Sequence, residues 1–118
     1  MTAWGADSEY GLQHDVQLGP PEHFRWLPPS AISKATLASG EPFDPAAPIA
    51  QHAELVSAYE TAGVTVHKLA SDPNLPYQVF ARDSSVMTAF GPVVLQPAQR
   101  WRRGEYAPVI RFYQGADI

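Results

Sequence analysis

Polar and apolar residues alternate along Asp15-Val16-Gln17-Leu18-Gly19, and the alternation ends at Gly19-Pro20-Pro21, the pattern of a short first strand closed by a breaker. From Pro20 to Pro45 no period holds. His23, Phe24, Trp26 and Leu27 are the anchors of that stretch, which Pro28-Pro29 and Gly40-Glu41-Pro42 interrupt. A segment this long inside a compact domain reads as a lid or as a structural wrap. Asp44-Pro45-Ala46-Ala47-Pro48 then has the form of a helix start, with Asp44 or a neighbour as cap and proline tolerated in the first turn. Ile49, Ala53, Val56 and Tyr59 recur at helical steps, with Gln51, Glu54 and Glu60 off the stripe, and Gly63 is the stop.

Val64 to Leu69 reads as the next strand and Asp72-Pro73-Asn74 as a turn. Two more strands fit Ser84 to Phe90 and Val93 to Gln96, divided by Gly91-Pro92, and the fully apolar Val93-Val94-Leu95 is expected to be buried. Gly104-Glu105 opens a second helix. Tyr106, Val109, Ile110 and Tyr113 share one face of it, Pro108 sits in its first turn, Glu105 complements its N-terminal end, and Gly115 ends it. Ala116-Asp117-Ile118 can only begin another strand, so the last unit reads as unfinished. The order divides the chain into two related strand-and-helix units.

Composition narrows the classes. A chain of 118 residues, 45% hydrophobic and 17% charged, fits one small domain with a modest core, and no apolar run approaches a membrane span. Met1-Thr2-Ala3-Trp4-Gly5-Ala6-Asp7 has neither a basic n-region nor an apolar h-region, which makes the cytoplasm the expected location. A net charge of -4 argues against a general nucleic-acid binder. The absence of cysteine removes disulfides, thiolate metal sites and a cysteine nucleophile from this chain. The twelve prolines are spread between apolar segments, as in a loop-rich fold.

Few residues carry chemistry. His14, His23, His52 and His67 have no metal-ligand spacing, Ser84 and Ser85 lack a nucleophile elbow, and no glycine-rich phosphate loop is present, so no metal and no cofactor is expected. Asp83 could hold a cation through two charge-assisted hydrogen bonds, or simply cap a turn. Phe80 could offer a ring face to the same cation, or pack in the core. Arg100-Trp101-Arg102-Arg103 places three cations ahead of a helix, either as an anion site or as a solvated rim over Trp101.

Leu75-Pro76, Phe80-Ala81-Arg82-Asp83 and Arg103-Gly104-Glu105 together resemble the guanidino-group-modifying enzymes, among them dimethylarginine dimethylaminohydrolases, arginine deiminases and amidinotransferases. The resemblance runs from about Glu9 to the end of the chain and includes its Gly-Pro-Pro-Glu-His-Phe run. It implies an α/β propeller (pentein) of five units, of which this chain would be an N-terminal portion of about two, incomplete at its C-terminal end. It further implies that Asp83 binds a guanidinium, that Phe80 lies against it and that Arg103, with Arg100 in reserve, reaches an anionic end. Arg82 matches arginine deiminases and many amidinotransferases, where dimethylarginine-type hydrolases commonly carry Glu. Tyr77 departs from the Asp that many relatives place after the Leu-Pro pair. In relatives a cysteine forms a covalent amidino intermediate and a histidine manages the protons. Here no catalytic residue is expected in the chain itself. A separate polypeptide would supply the cysteine and histidine, and the chain would bind a guanidino-containing small molecule. The rival reading is a non-catalytic interaction module that keeps the propeller scaffold.

Overall fold

Strand β1 (Asp15–Leu18) is followed by helices α1 (Ala31–Ala38) and α2 (Ala46–Thr61) and by strand β2 (Thr65–Lys68). Strands β3 (Ser85–Thr88) and β4 (Gly91–Val94) and helix α3 (Tyr106–Gly115) complete the order, with short 3-10 helices at Ala81–Asp83 and Arg100–Glu105. The computed structural model describes residues 5–8, 10–28 and 30–116. The reading of Met1 to Trp4, the family boundary at Glu9, Pro29, and the strand expected beyond Ala116 lie outside those residues.

β1 and β2 pair in parallel, from Asp15 opposite Thr65 to Leu18 opposite Lys68, and the crossover between them carries α1 and α2. α2 begins where expected: Asp44 Oδ1 accepts the Ala46 N–H at 3.0 Å, which satisfies a first-turn donor. It ends at Gly63, whose φ of +83° is strained for any residue with a Cβ. Only Val56 is buried on this helix, and Ile49 and Leu55 stay exposed. α1 lies inside the stretch expected to be irregular. Ser30 accepts the Ser33 N–H at 3.0 Å and starts it.

β3 and β4 form an antiparallel hairpin, Ser85 opposite Val94 and Thr88 opposite Gly91. The core is small: Leu69, Ala81, Val109 and Tyr113, with Met87 and Phe112 packed against it. α3 supplies the largest share, and its expected face divides, since Val109 and Tyr113 are buried while Tyr106 and Ile110 are partly exposed. Val93, Val94 and Leu95 are exposed, contrary to expectation, although α3 packs against β4.

The propeller expectation is overturned. Among the described residues there are two separate two-stranded sheets, neither closed nor curled around a channel. Each strand has four residues, too little to set a ring of blades without further strands. No helix among the described residues is long and apolar enough to cross a membrane.

Leu75-Pro76-Tyr77-Gln78 crosses between the two sheets and is buried throughout. The side chain of Gln78 accepts the Asp72 N–H at 3.0 Å and donates to the Ala70 carbonyl at 2.6 Å, pinning the turn after β2. The Tyr77 hydroxyl accepts the Leu27 N–H at 3.0 Å and lies 3.4 Å from Ser33 Oγ, tying the α1 region to the core. Gly19 passes so close that a Cβ there would stand 1.8 Å from the Gln78 carbonyl oxygen.

Candidate functional site

Phe80, Arg82 and Asp83 are displayed by the 3-10 helix Ala81–Asp83, which follows directly from the buried Leu75–Gln78 segment. Asp83 N–H donates to the Phe80 carbonyl at 3.1 Å and Ser84 N–H to the Ala81 carbonyl at 3.0 Å. Ala81 points into the core, so its neighbours turn outward: Phe80, Arg82 and Asp83 are all exposed.

The guanidinium that meets Asp83 belongs to the protein. Arg102 Nη1 donates to Asp83 Oδ2 at 3.0 Å, and its guanidinium carbon lies 5.8 Å from the centre of the Phe80 ring. The same group donates twice to Glu105, from Nε at 2.9 Å and from Nη2 at 2.8 Å, and once to the Phe80 carbonyl at 3.2 Å. Glu105 is 1% exposed. The Glu105 hydrogen bonds hold the Arg102 guanidinium above its ordinary pKa against the opposing effect of burial, with Asp83 adding to the rise. Glu105 therefore serves Arg102, not the α3 terminus alone, and makes no side-chain cap there.

Arg100 and Arg103, the arginines singled out from sequence, are exposed on the second 3-10 helix, and Arg102 between them is buried. A 3-10 turn places successive side chains about 120° apart. Arg100 and Arg103 therefore share one face, Arg102 another and Trp101 a third, and sequence alone does not say which face turns inward. The signal available was Arg102-x-x-Glu105, an oppositely charged pair at a spacing that meets on one helical face. Tyr77, noted only as a departure from the family pattern, turns out to be a structural anchor.

Beside this cluster opens a cleft of about 1040 Å3, lined by residues 5–8 and 11–19, by Tyr59 and Val79 to Asp83, and by Ser85, Met87, Phe112 and Tyr113. Hydrogen-bond parity shows which peptide groups face it. Thr65 N–H donates to His14 O and Leu69 N–H to Leu18 O, so Val16 and Leu18 bond toward β2, and the peptide groups of Asp15 and Gln17 point away from it. Leu95 N–H donates to Ser84 O, which makes Val86 and Thr88 the bonded positions of β3 and turns the peptide groups of Ser85 and Met87 away from β4. Both inner edges thus border one cleft. The carboxamide nitrogen of Gln17, also in its wall, is buried without a hydrogen-bond partner among the described residues. Asp7, Asp15, Asp83 and Arg82 stand in the lining; Asp83 is paired with Arg102, and Asp15 Oδ1 lies 2.8 Å from His67 Nε2.

The outer edges differ. Pro92 has no N–H to offer on the far side of β4, and Lys68 lies on the far side of β2, both common ways to discourage strand addition.

Comparison of the chain with protein-family models, with curated proteins and with solved structures gave no match in any of the three. The expectation of a substrate-binding part of a pentein-type hydrolase or amidinotransferase is corrected by the fold, since that role requires a propeller channel and the two small sheets form none. The alternative, an interaction module retaining the propeller scaffold, fails on the same ground.

Proposed function

We propose that the chain is a non-catalytic binding module that holds an extended, cationic segment of a second polypeptide in the cleft between β1 and β3. One observation carries the reading: the peptide groups of Ser85 and Met87 on β3, and of Asp15 and Gln17 on β1, have no backbone partner among the described residues and belong to residues that line the same space. An extended segment would supply the missing ladder partners, as in β-strand addition. Asp7, together with the outer oxygens of Asp15 and Asp83, which are each half-exposed beside their partners His67 and Arg102, favours a cationic occupant.

The surface supports a partner as well. The chain exposes 8051 Å2, whereas a compact monomer of 12.9 kDa exposes about 6,300 Å2. That excess, roughly 1,700 Å2, exceeds the share one partner contributes to a standard interface.

The test uses a capped peptide of alternating valine and threonine with arginine at each end. Hydrogen exchange should show the Gln17 and Met87 amides protected on its addition. The same peptide N-methylated at every second residue should bind at least about tenfold more weakly, because N-methylation removes the ladder donors. Equal binding of both peptides, or no protection at either amide, overturns the proposal.

A further inference from the structure

A second pocket, on the opposite side of Phe24 from the core, holds chemistry that strand capture does not use. It measures about 360 Å3 and is walled by Phe24, Trp26 and Phe43 with Leu37 beneath, and Glu41 and Asp44 stand in its lining. That volume lies within the range of small-molecule sites. The rings present different faces: Phe24 and Trp26 are 5.3 Å apart at 76°, and Phe24 and Phe43 are 5.7 Å apart at 56°. Phe24 is itself held from behind by Tyr77 at 5.9 Å and Phe80 at 6.1 Å, so the wall is fixed to the buried crossing segment. No lysine, arginine or histidine lines the pocket to neutralise the two carboxylates. Asp44 is also anchored, through the Ala46 N–H.

Three aromatic rings and two carboxylates in one lining select for positive charge. The apolar walls select further. A lysine-type ammonium is strongly hydrated and carries three donors that rings cannot satisfy. A methylated ammonium has few donors or none and presents a greasy, charged surface, which is what an aromatic cage accommodates. From this geometry we infer a binding site for a quaternary or highly methylated ammonium group, with Phe24, Trp26 and Phe43 as the cage and Glu41 and Asp44 as the charge partners. The site does not depend on the cleft or on what the cleft holds.

Choline and its uncharged carbon isostere, in which a tert-butyl group replaces trimethylammonium, differ in little but charge. Titrated into the intact chain and followed by NMR at the Trp26 indole, choline should bind about tenfold or more tightly than the isostere, within the range of a desolvated cation–π contact. A trimethyl-lysine peptide forms a second arm: tighter binding than choline identifies a modified protein as the source of the group, and weaker binding a free small molecule. Phe43→Leu, which keeps apolar volume but removes a π face, should weaken choline roughly 3- to 30-fold. Glu41→Gln, on an exposed side chain, should weaken it about threefold with the melting temperature unchanged. Equal affinity for choline and its isostere, or the absence of any binding at millimolar choline, overturns the inference without bearing on strand capture.

Discussion

Arg102 makes four hydrogen bonds with three residues, and two of those bonds go to a carboxylate that water hardly reaches. Removing one member of a buried pair is worse than never having built it, because the other charge remains. Arg102→Ala is therefore expected to cost about 3–5 kcal/mol in urea denaturation. The double change Arg102→Met with Glu105→Leu should recover most of that loss, since two apolar side chains leave no charge behind. Arg102→Lys should not, because a point charge cannot reproduce the fork that meets both Glu105 oxygens. The raised pKa also fixes the pH response. Its contribution to stability is complete below the unfolded-state pKa and is lost only as pH climbs through the still higher folded value, so mild alkalinisation leaves Arg102 charged. Tyr77→Phe probes the other anchor: the Leu27 N–H loses its acceptor at a cost of about 1 kcal/mol, measurable by thermal unfolding.

At the scale of elements, what was legible followed from local rules. The span of α2, the Gly63 stop, β2, β3 and the proline in the first turn of α3 stand close to their expected places, since periodicity and turn chemistry are written within a few residues, whereas the α2 stripe leaves Ile49 and Ala53 exposed and β4 starts at Gly91, inside the expected turn. α1 was hidden by its flanks. Pro28 before it and Gly40-Glu41-Pro42 after it announce a loop, although Ser30 and Gly40 also make a fair cap and stop for the eight-residue helix Ala31–Ala38. The contact of Gly19 with Gln78 was not legible at all, because it joins positions far apart in the chain. Gly19→Ala is expected to cost about 3 kcal/mol, the upper part of the overpacking range, since the obstructing atom is backbone and cannot rotate away. Amide exchange should accelerate at Leu69, whose N–H bonds to Leu18 beside the clash. Ser30→Ala should cost about 1 kcal/mol through the lost cap, and the loss should be confined to α1.

For the molecule as a whole, the numbers describe a loosely gathered chain. Its radius of gyration is 15.6 Å, against about 13.5 Å for a compact domain of this length. The propeller expectation arose at this scale, from short motifs read as a family resemblance, and it failed because local signatures do not specify how many strands gather around an axis. A chain that buries less surface exposes less on unfolding. Its urea m-value should therefore fall below that of compact domains of equal length, and it should rise when the arginine-ended peptide is bound. An m-value already at the compact-domain norm in the free chain would show that the open surface closes on itself in solution.

The placement of Pro92 and Lys68 has a further consequence. Sheets that can add strands on both sides grow without limit, and that is the route to fibrils. Here the receptive edges face one another across a single cleft, and the outward ones are blunted. A strand held there as proposed would fill the space and leave nothing equally receptive for the next. Recruitment would then end after one step, so crowding this protein with the arginine-ended peptide should give a fixed stoichiometry, where an open-edged sheet would give a growing polymer.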